Sequence, residues 1–400
     1  MDTRPKNRLV MIGGWGDLYK KAKDRGFELT LIQDKASLKA EDYAYIDHLF
    51  TSKIDDDRIP ALVEALHGFE PYDCVVSFQE MGVLNAALVQ ERTGIHGNPL
   101  KPVLLTKDKG MMRKHMAEEG IPSIPYALIR TVQEAHGFIE AHGLPVIMKP
   151  VKGAGSFQIH KIERMEEVEA AVNGTKQGLF GQDVILIEKF MEGTEISVEA
   201  FSCGGEHAII GMTDKLTTGA PYFVETGHTV PSLLPPEQLQ EIRELVISFL
   251  HSIGHRIGPS HTEVMVTQQG PIIIESHTRT GGDYIYELVK QVYGTDFFEL
   301  TLDALLGKVS EMPEAKPEGA AVVRYLTLPE GTVGSIRGAE TVRQSGNILR
   351  FELSLQQGQV VKPFTNSDER PGCIAAYGKN QNDAERRVRE ALQQLHIEVS

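Results

Sequence analysis

The sequence predicts an α/β protein with an N-terminal parallel sheet and an antiparallel, α+β C-terminal lobe. Apolar strand-like runs alternate with helical stretches over the first hundred residues, the pattern of a parallel sheet with helices on both faces. Farther along, strand follows strand over 184–212, and a hairpin pattern spans 262–275 around Gln268-Gln269-Gly270.

In chain order, 9–12 is a short strand running into Gly13-Gly14-Trp15-Gly16, 17–25 is a helix closed by Gly26, and 28–32 is the next strand. A charged loop leads to a helix over 58–67, a buried strand over 73–78 and a helix over 81–92 that stops at Gly94. Gly97, Pro99 and Pro102 mark a loop that ends this unit near residue 105. Thr106-Lys107-Asp108-Lys109 opens a helix to Glu119, with Gly120 as its stop. Strand 126–129, helix 132–142 and strand 145–149 follow, then a loop with Gly153, Gly155 and Ser156, then strand 158–162. Runs over 184–190, 196–202 and 207–212 read as an antiparallel meander, and 237–253 as the longest helix. The tail from 320 is strand-rich and ends in a helix over 383–395. With no internal repeat and no low-complexity linker, the lobes are expected to pack closely.

Composition narrows the function classes. At 41% hydrophobic and 24% charged over 400 residues, the chain is ordinary globular material, long enough for two or three lobes. It has no apolar run of the ~18 residues that a membrane helix needs. Residues 1–8 are polar and lack the apolar core of a signal peptide, so a cytoplasmic protein is expected. Cys74, Cys203 and Cys373 stand far apart and read as reduced thiols. A net charge of −14 argues against nucleic acid or an anionic membrane as partner.

Several familiar motifs are missing: GxxxxGK[ST], HExxH and GxSxG do not occur. The glycine cluster after the first strand is a poor dinucleotide fingerprint, because its third glycine falls on Tyr19; a tight turn accounts for it. More specific is Lys149-Pro150 at the end of a buried strand, just before Lys152-Gly153-Ala154-Gly155-Ser156. Glycines let backbone amides form an anion nest, and a neighbouring lysine neutralises phosphate charge. Alone, a strand ending in Lys-Pro also fits an exposed edge. Glu188 and Glu195 flank a glycine turn between two strands, placed to accept from an adenine amino group and ribose hydroxyls, or simply as solvated strand ends. In the hairpin, Glu263 and Glu275 can pair side by side and share hard cations, since Mg²⁺ favours one or two carboxylates with phosphate oxygens. Glu275 follows three isoleucines, where a carboxylate needs a cation or donors. Arg279, before Thr280-Gly281-Gly282, is within reach of a developing oxyanion or phosphate charge.

The order of these motifs resembles the ATP-grasp superfamily over nearly the whole chain. The resemblance implies an ATP-grasp fold with a Rossmann-like N-terminal domain (1–105), a small central lobe (106–190) and a larger C-terminal lobe (191–400) carrying a closing subdomain from about 318. It implies ATP and Mg²⁺, two ions with Mn²⁺ as a substitute, and a homodimer. By position, Lys109 and Lys149 contact the nucleotide phosphates, and the loop of Gly153, Gly155 and Ser156 closes over them. Glu188, Lys189 and Met191 line the adenine, Glu195 holds the ribose, and Glu263 and Glu275 ligate Mg²⁺. Where many members carry a further Asn ligand, this chain has His277.

Thr213-Asp214-Lys215, the segment 222–228 and Pro231-Ser232 are similar to those of bacterial L-amino-acid ligases that make dipeptides or peptide antibiotics. That similarity implies a carboxylate activated as an acyl phosphate and attacked by the amine of an L-amino acid. Arg279 then stabilises the oxyanion, Lys215 assists with phosphate charge, and Glu225 or His228 handles the amine proton. Glu80 and His277 are further substrate-contact candidates; Glu80 follows a strand end that should face the cleft. The alternatives are a D-alanine–D-alanine-type ligase, a carboxylase or purine-pathway enzyme taking bicarbonate or formate, and a non-catalytic binding module. The segment from Ser367 to Gly378 reads as a packing module.

Overall fold

The computed structural model describes residues 7–153, 158–177, 183–314, 316–346 and 348–400. The first sheet is parallel, in the order His48–Thr51, Phe27–Gln33, Asn7–Ile12, Cys74–Val76. Its central strands are buried on both faces from Leu9 to Ile12 and from Leu29 to Gln33, and most of those residues are apolar. The short edge strand His48–Thr51 lies in what the sequence presents as a charged loop. At the end of Asn7–Ile12, Gly13 and Gly14 adopt φ of 79° and 120°. Gly14 N donates to Gln79 Oε1 at 2.8 Å, and a Cβ on Gly13 would stand 2.1 Å from that oxygen. The glycines make a tight turn packed against the end of the neighbouring strand.

The expected loop before residue 105 is instead a helix, Leu100–Lys107. Pro102 falls in its first turn, where a missing N–H leaves no intrahelical bond unmade. The helix expected to start at Thr106 therefore begins later, as Lys109–Glu118, capped by the Asp108 side chain accepting from Met111 N at 2.9 Å.

A second, four-stranded antiparallel sheet runs Tyr126–Ile129, Ile185–Lys189, Val146–Pro150, His160–Ile162. It packs on the helices Val132–His142 and Val168–Gln177; the second was not foreseen because Asn173, Gly174 and Thr175 weaken its pattern. The third sheet has eight strands, in the order Gly270–His277, Ile257–Thr267, Thr194–Cys203, Glu206–Thr217, Glu225–Val230, Ala320–Tyr325, Gly372–Gly378, Ile348–Leu353. The expected meander thus splits after its first strand: Ile185–Lys189 belongs to one sheet and the hairpin Thr194–Cys203/Glu206–Thr217 to another. Gly193 permits the crossing, since a Cβ there would lie 2.3 Å from Val266 O. The helix Pro236–Ile253 covers one face of the large sheet, and Ile285–Tyr293 with Phe297–Leu305 the other. The C-terminal helix Gln381–Gln394 does not end the chain; His396–Val399 returns as a strand beside Gly331–Arg337. Among the described residues, no helix is long and apolar enough to cross a membrane.

Where the long helix meets the large sheet, His255 is buried and its Nε2 lies 3.3 Å from Gly258 O. Burial pushes its pKa from 6.5 down to about 4, despite the backbone carbonyls of Gly258 and Pro259. Between those values the unfolded chain binds a proton that the folded chain does not. Stability should therefore fall as pH drops from about 6.5 toward 4, by roughly 1.4 kcal/mol per pH unit from this residue. Urea denaturation across that range should show the slope, reduced in His255→Gln; an unchanged slope would remove His255 as its source.

Candidate active site

A cavity of about 340 Å³ opens between the four-stranded and eight-stranded sheets. Lys109, Lys149, Gly153, Glu188, Lys189, Met191, Glu195, Lys215, Glu225, His228, Glu263, Glu275, His277 and Arg279 all line it. Gly155 and Ser156 lie outside the described residues. Thus residues as far apart in the chain as Lys109 and Ser367 meet at one place.

Glu263 and Glu275 occupy the same rung of their hairpin, directly opposite each other. Side by side and desolvated, two carboxylates resist ionisation, yet both are held below the usual range. For Glu263, Lys215 and His261 outweigh burial; for Glu275, Lys109 and His277 do so. Lys109 Nζ stands 2.9 Å from Glu275 Oε1 and donates to Gly153 O at 2.9 Å. Lys215 Nζ stands 3.0 Å from Glu263 Oε1 and 3.5 Å from Glu225 Oε1, and it also pairs with Glu195. One ammonium among three acids is raised well above its ordinary pKa, although its burial opposes this. Glu195 is pushed up by burial and by its like-charged neighbours Glu263 and Glu225, against the pull of Lys215.

Deeper in the cleft, Glu188 accepts from Arg113 Nε at 2.6 Å and lies 2.6 Å from Lys149 Nζ. Burial alone would raise its pKa, but Arg113 and then Lys149 bring it down to about 2. Both oxygens of Glu188 thus face protein cations, a different arrangement from the adenine contact expected of it. Arg113, fully buried, also donates to Ile273 O at 3.1 Å and Ile274 O at 2.7 Å. It ties the four-stranded sheet to the carboxylate hairpin.

Each carboxylate of the rung is backed by an imidazole, and each imidazole by another acid. His277 stands 3.0 Å from Glu275 through Nε2 and 3.1 Å from Glu80 through Nδ1. His261 stands 3.5 Å from Glu263 through Nε2 and 2.6 Å from Glu199 through Nδ1. Burial lowers the His261 pKa, but Glu199 and Glu263 more than offset this and raise it to about 9. Glu80, expected to face the cleft, does not line the cavity itself but pairs with two residues that do, His277 and Arg279. Its carboxylate is taken by Lys107 at 2.7 Å, Arg279 Nε at 2.8 Å and His277, which leaves it an anchor of Arg279 and no open acceptor for a substrate amine.

At the far end, His228 Nε2 lies 2.9 Å from Asp283 Oδ2, and Arg370 grips the same carboxylate with two bonds of 2.7 and 2.6 Å. Asp283 and the next residue, Tyr284, have φ of 54° and 62°, a strained conformation for two non-glycine residues in succession. Ser367 donates to Glu225 Oε2 at 3.0 Å and lines the cavity. The segment read as a packing module therefore supplies part of the wall, because the turn Ser367–Glu369 and the following Arg370 fold back onto Glu225–Val230.

Sequence reasoning missed Arg113, Glu199, His261, Asp283 and Arg370. A signal existed for two of them. Arg113 lies one helical turn after Lys109, and His261 shares a strand face with Glu263 two residues on. Arg370 and Glu199 meet the site only through tertiary packing.

The donor set fits a nucleotide with a divalent ion: hard carboxylate oxygens beside ammonium groups, next to apolar walls from Ile124, Ile147, Met265 and Ile274. Among the described residues no cluster of three His, Cys, Asp or Glu forms a complete metal cage. Mg²⁺ does not need one, because phosphate oxygens complete its shell.

Three family profiles match successive parts of the chain: the ATP-grasp N-terminal domain over 19–96, the ATP-grasp domain over 142–287 and the L-amino acid ligase C-terminal domain 2 over 324–400. The chain belongs to the ATP-grasp superfamily. Relatives of this ATP-grasp chain include alanine–anticapsin ligase of Bacillus subtilis, 25% identical over 93% of this chain and 88% of that one. The L-arginine-specific L-amino acid ligase of Bacillus subtilis is 23% identical over 82% and 81%. The crystal structure of L-amino acid ligase from Bacillus licheniformis superposes with a TM-score of 0.82 at 22% identity, covering both chains fully. Phosphoribosylglycinamide synthetase from Anaerococcus prevotii shares the fold at a TM-score of 0.73, 20% identity, 99% of this chain and 100% of that one.

Replacing Arg113 of this ATP-grasp chain by Ala leaves Glu188 with a single cation and removes the donor facing two buried carbonyls. The expected cost is about 3–5 kcal/mol, measured by urea denaturation. A loss below about 1 kcal/mol would show that Arg113 does not brace the two sheets.

Proposed function

We propose that this chain is an ATP- and Mg²⁺-dependent ligase joining the carboxylate of an amino acid or similar acid to the amine of an L-amino acid. The observation that carries the reading is Arg279 beside the Glu263–Glu275 rung, inside a cavity walled by lysines from both sheets. A carboxylate is a poor electrophile. In this reading its oxygen attacks the γ-phosphorus of ATP and ADP leaves. The amine then attacks the acyl phosphate carbon, phosphate departs, and the amine gives up a proton. The products are a dipeptide or amide, ADP and phosphate.

Phosphoryl transfer asks mostly for positioning and charge neutralisation. Lys109 and Lys149 would serve by exchanging Glu275 and Glu188 for phosphate oxygens, with Gly153 beside Lys109. Glu263 and Glu275 would hold Mg²⁺, which neutralises phosphate charge when bound. That each carboxylate has its own ammonium and imidazole partner supports two cation positions; Mn²⁺ suits the same donors. Lys189 and Met191 would line the adenine and Glu195 the ribose. Glu188 contributes by holding Lys149 in reach. Lys215, fixed among three acids, faces the transferring phosphate.

Arg279 would stabilise the oxyanion that forms when the amine attacks. For the proton, His228 is favoured over Glu225. With Nε2–H donating to Asp283, its buried Nδ1 has no protein partner among the described residues and presents a lone pair. Glu225, held by Ser367 and near Lys215, fits the substrate ammonium instead.

ADP and phosphate release with MgATP across pairs of L-amino acids, analysed by mass spectrometry, tests the reading. Release that needs two substrates and yields an amide mass is expected. Release driven by bicarbonate alone would replace the ligase with a carboxylase, and AMP with pyrophosphate would refute the acyl phosphate. Arg279→Ala should lower amide formation by about 10²–10³-fold with nucleotide binding nearly unchanged. Turnover near wild type would remove Arg279 from the mechanism.

A further inference from the structure

Behind the reacting groups lies a fully buried acid with no outlet to the cavity. Glu199, on the central strand Thr194–Cys203, is completely covered. Its Oε1 lies 2.6 Å from His261 Nδ1 and accepts from Ser197 Oγ at 3.1 Å. Its Oε2 accepts from Gly281 N at 3.3 Å. One carboxylate thus touches both the imidazole behind Glu263 and the backbone of the turn that follows Arg279. The fit is close: a Cβ on Gly281 would stand 2.7 Å from His261 Nδ1 and 3.2 Å from Glu199 Oε2. On the opposite side, Glu80 holds Arg279 Nε and His277. Arg279 is therefore fixed from two directions, through its side chain by the N-terminal sheet and through its turn by the large sheet.

We propose that Glu199 is a positioning residue that locks the Arg279 turn to the Glu263 rung through His261 and Gly281. The inference rests on the ligase reading for its kinetic consequence, but the lock itself is a property of the free protein. An unsatisfied buried carboxylate is costly, and this one spends its acceptors on two segments that must stay in register for Arg279 to meet a developing oxyanion. Neither Glu199 nor Gly281 touches the cavity contents; each acts through Arg279 and His261. The step most sensitive to their loss is amide formation. Activated acid that is not trapped by the amine hydrolyses, so ADP release outruns amide.

Three variants of the full chain separate this role from bulk stability. Glu199→Ala removes both acceptors. Gly281→Ala keeps Glu199 and pushes the turn away. Glu199→Gln restores a carbonyl for Gly281 N and an amide N–H for neutral His261. Hydrogen exchange needs no substrate: the Gly281 amide should exchange at least about tenfold faster in Glu199→Ala and Gly281→Ala, near wild type in Glu199→Gln, with 262–267 unchanged. With MgATP and a productive amino-acid pair, ADP formed per amide should rise about tenfold in the two alanine variants and return toward wild type in Glu199→Gln. Wild-type exchange at Gly281 in both alanine variants overturns the lock, and a ratio that stays at wild type in both overturns its role in coupling. A wild-type chain with no two-substrate ADP release sinks the ligase reading instead, and the exchange result still decides the lock. Should Glu199→Ala not fold, Gly281→Ala and Glu199→Gln carry both measurements.

Discussion

Two acids on one rung of a β-hairpin set the terms for everything around them. Like charges directly opposite across a sheet repel, and desolvation adds to the penalty. Glu263 and Glu275 remain charged only because cationic groups converge on them from the helix Lys109–Glu118, the strand Glu206–Thr217 and the hairpin itself. Several long-range contacts of the site answer that demand. Lys109 joins the helix to the hairpin, Lys215 joins three acids from three strands, and His261 and His277 draw in Glu199 and Glu80.

The same demand explains why the cleft stays open. Apolar sheets facing each other would collapse to native packing density. Here the facing surfaces carry ionised groups whose partners fix their positions, with Arg113 and Glu188 as a buried strut between the sheets. A buried ion pair adds little net stability, but it specifies geometry, since either partner left alone is costly. Hydrophobic cores lie behind each sheet, and polar pairs hold the space between them.

Much of the layout was legible because it is periodic. The parallel N-terminal sheet, the carboxylate hairpin and the long helix Pro236–Ile253 all announce themselves by spacing and punctuation. What escaped has physical causes. The helix Leu100–Lys107 hid behind Pro102, since proline reads as a breaker unless the first turn is recognised. The split of the meander hid in Gly193, where a close backbone crossing leaves only a missing side chain as its trace. In the site, most of the charged residues facing the cavity were found because their chemistry is distinctive next to glycine turns; His261 and Asp283, which also line it, were not. The residues behind them were not: Arg370 and Glu199 are ordinary charges in sequence, and only packing brings them to Asp283 and His261. Glu80 is the instructive case. Its place at a strand end suggested the cleft, but its three partners, which hold it behind the cavity wall, were not legible.

The lysines that rest on carboxylates have one more consequence. In the free protein Lys109, Lys149, Lys215 and Arg279 are each already matched by a carboxylate, so they and their acids behave as a set of internal counterions. In the proposed function, a polyanion arriving by itself would draw Lys109 and Lys149 away and leave Glu275 with His277 and Glu188 with Arg113. A metal arriving by itself would leave Lys215 to Glu195 and Glu225 and Lys109 to the Gly153 carbonyl alone. In that function the two together permit an exchange of partners at the rung, phosphate for Glu275 on Lys109 and metal for Lys109 on Glu275, while Glu188 keeps Arg113. Under the same proposal, the resting charge pairs thus favour nucleotide and ion entering together.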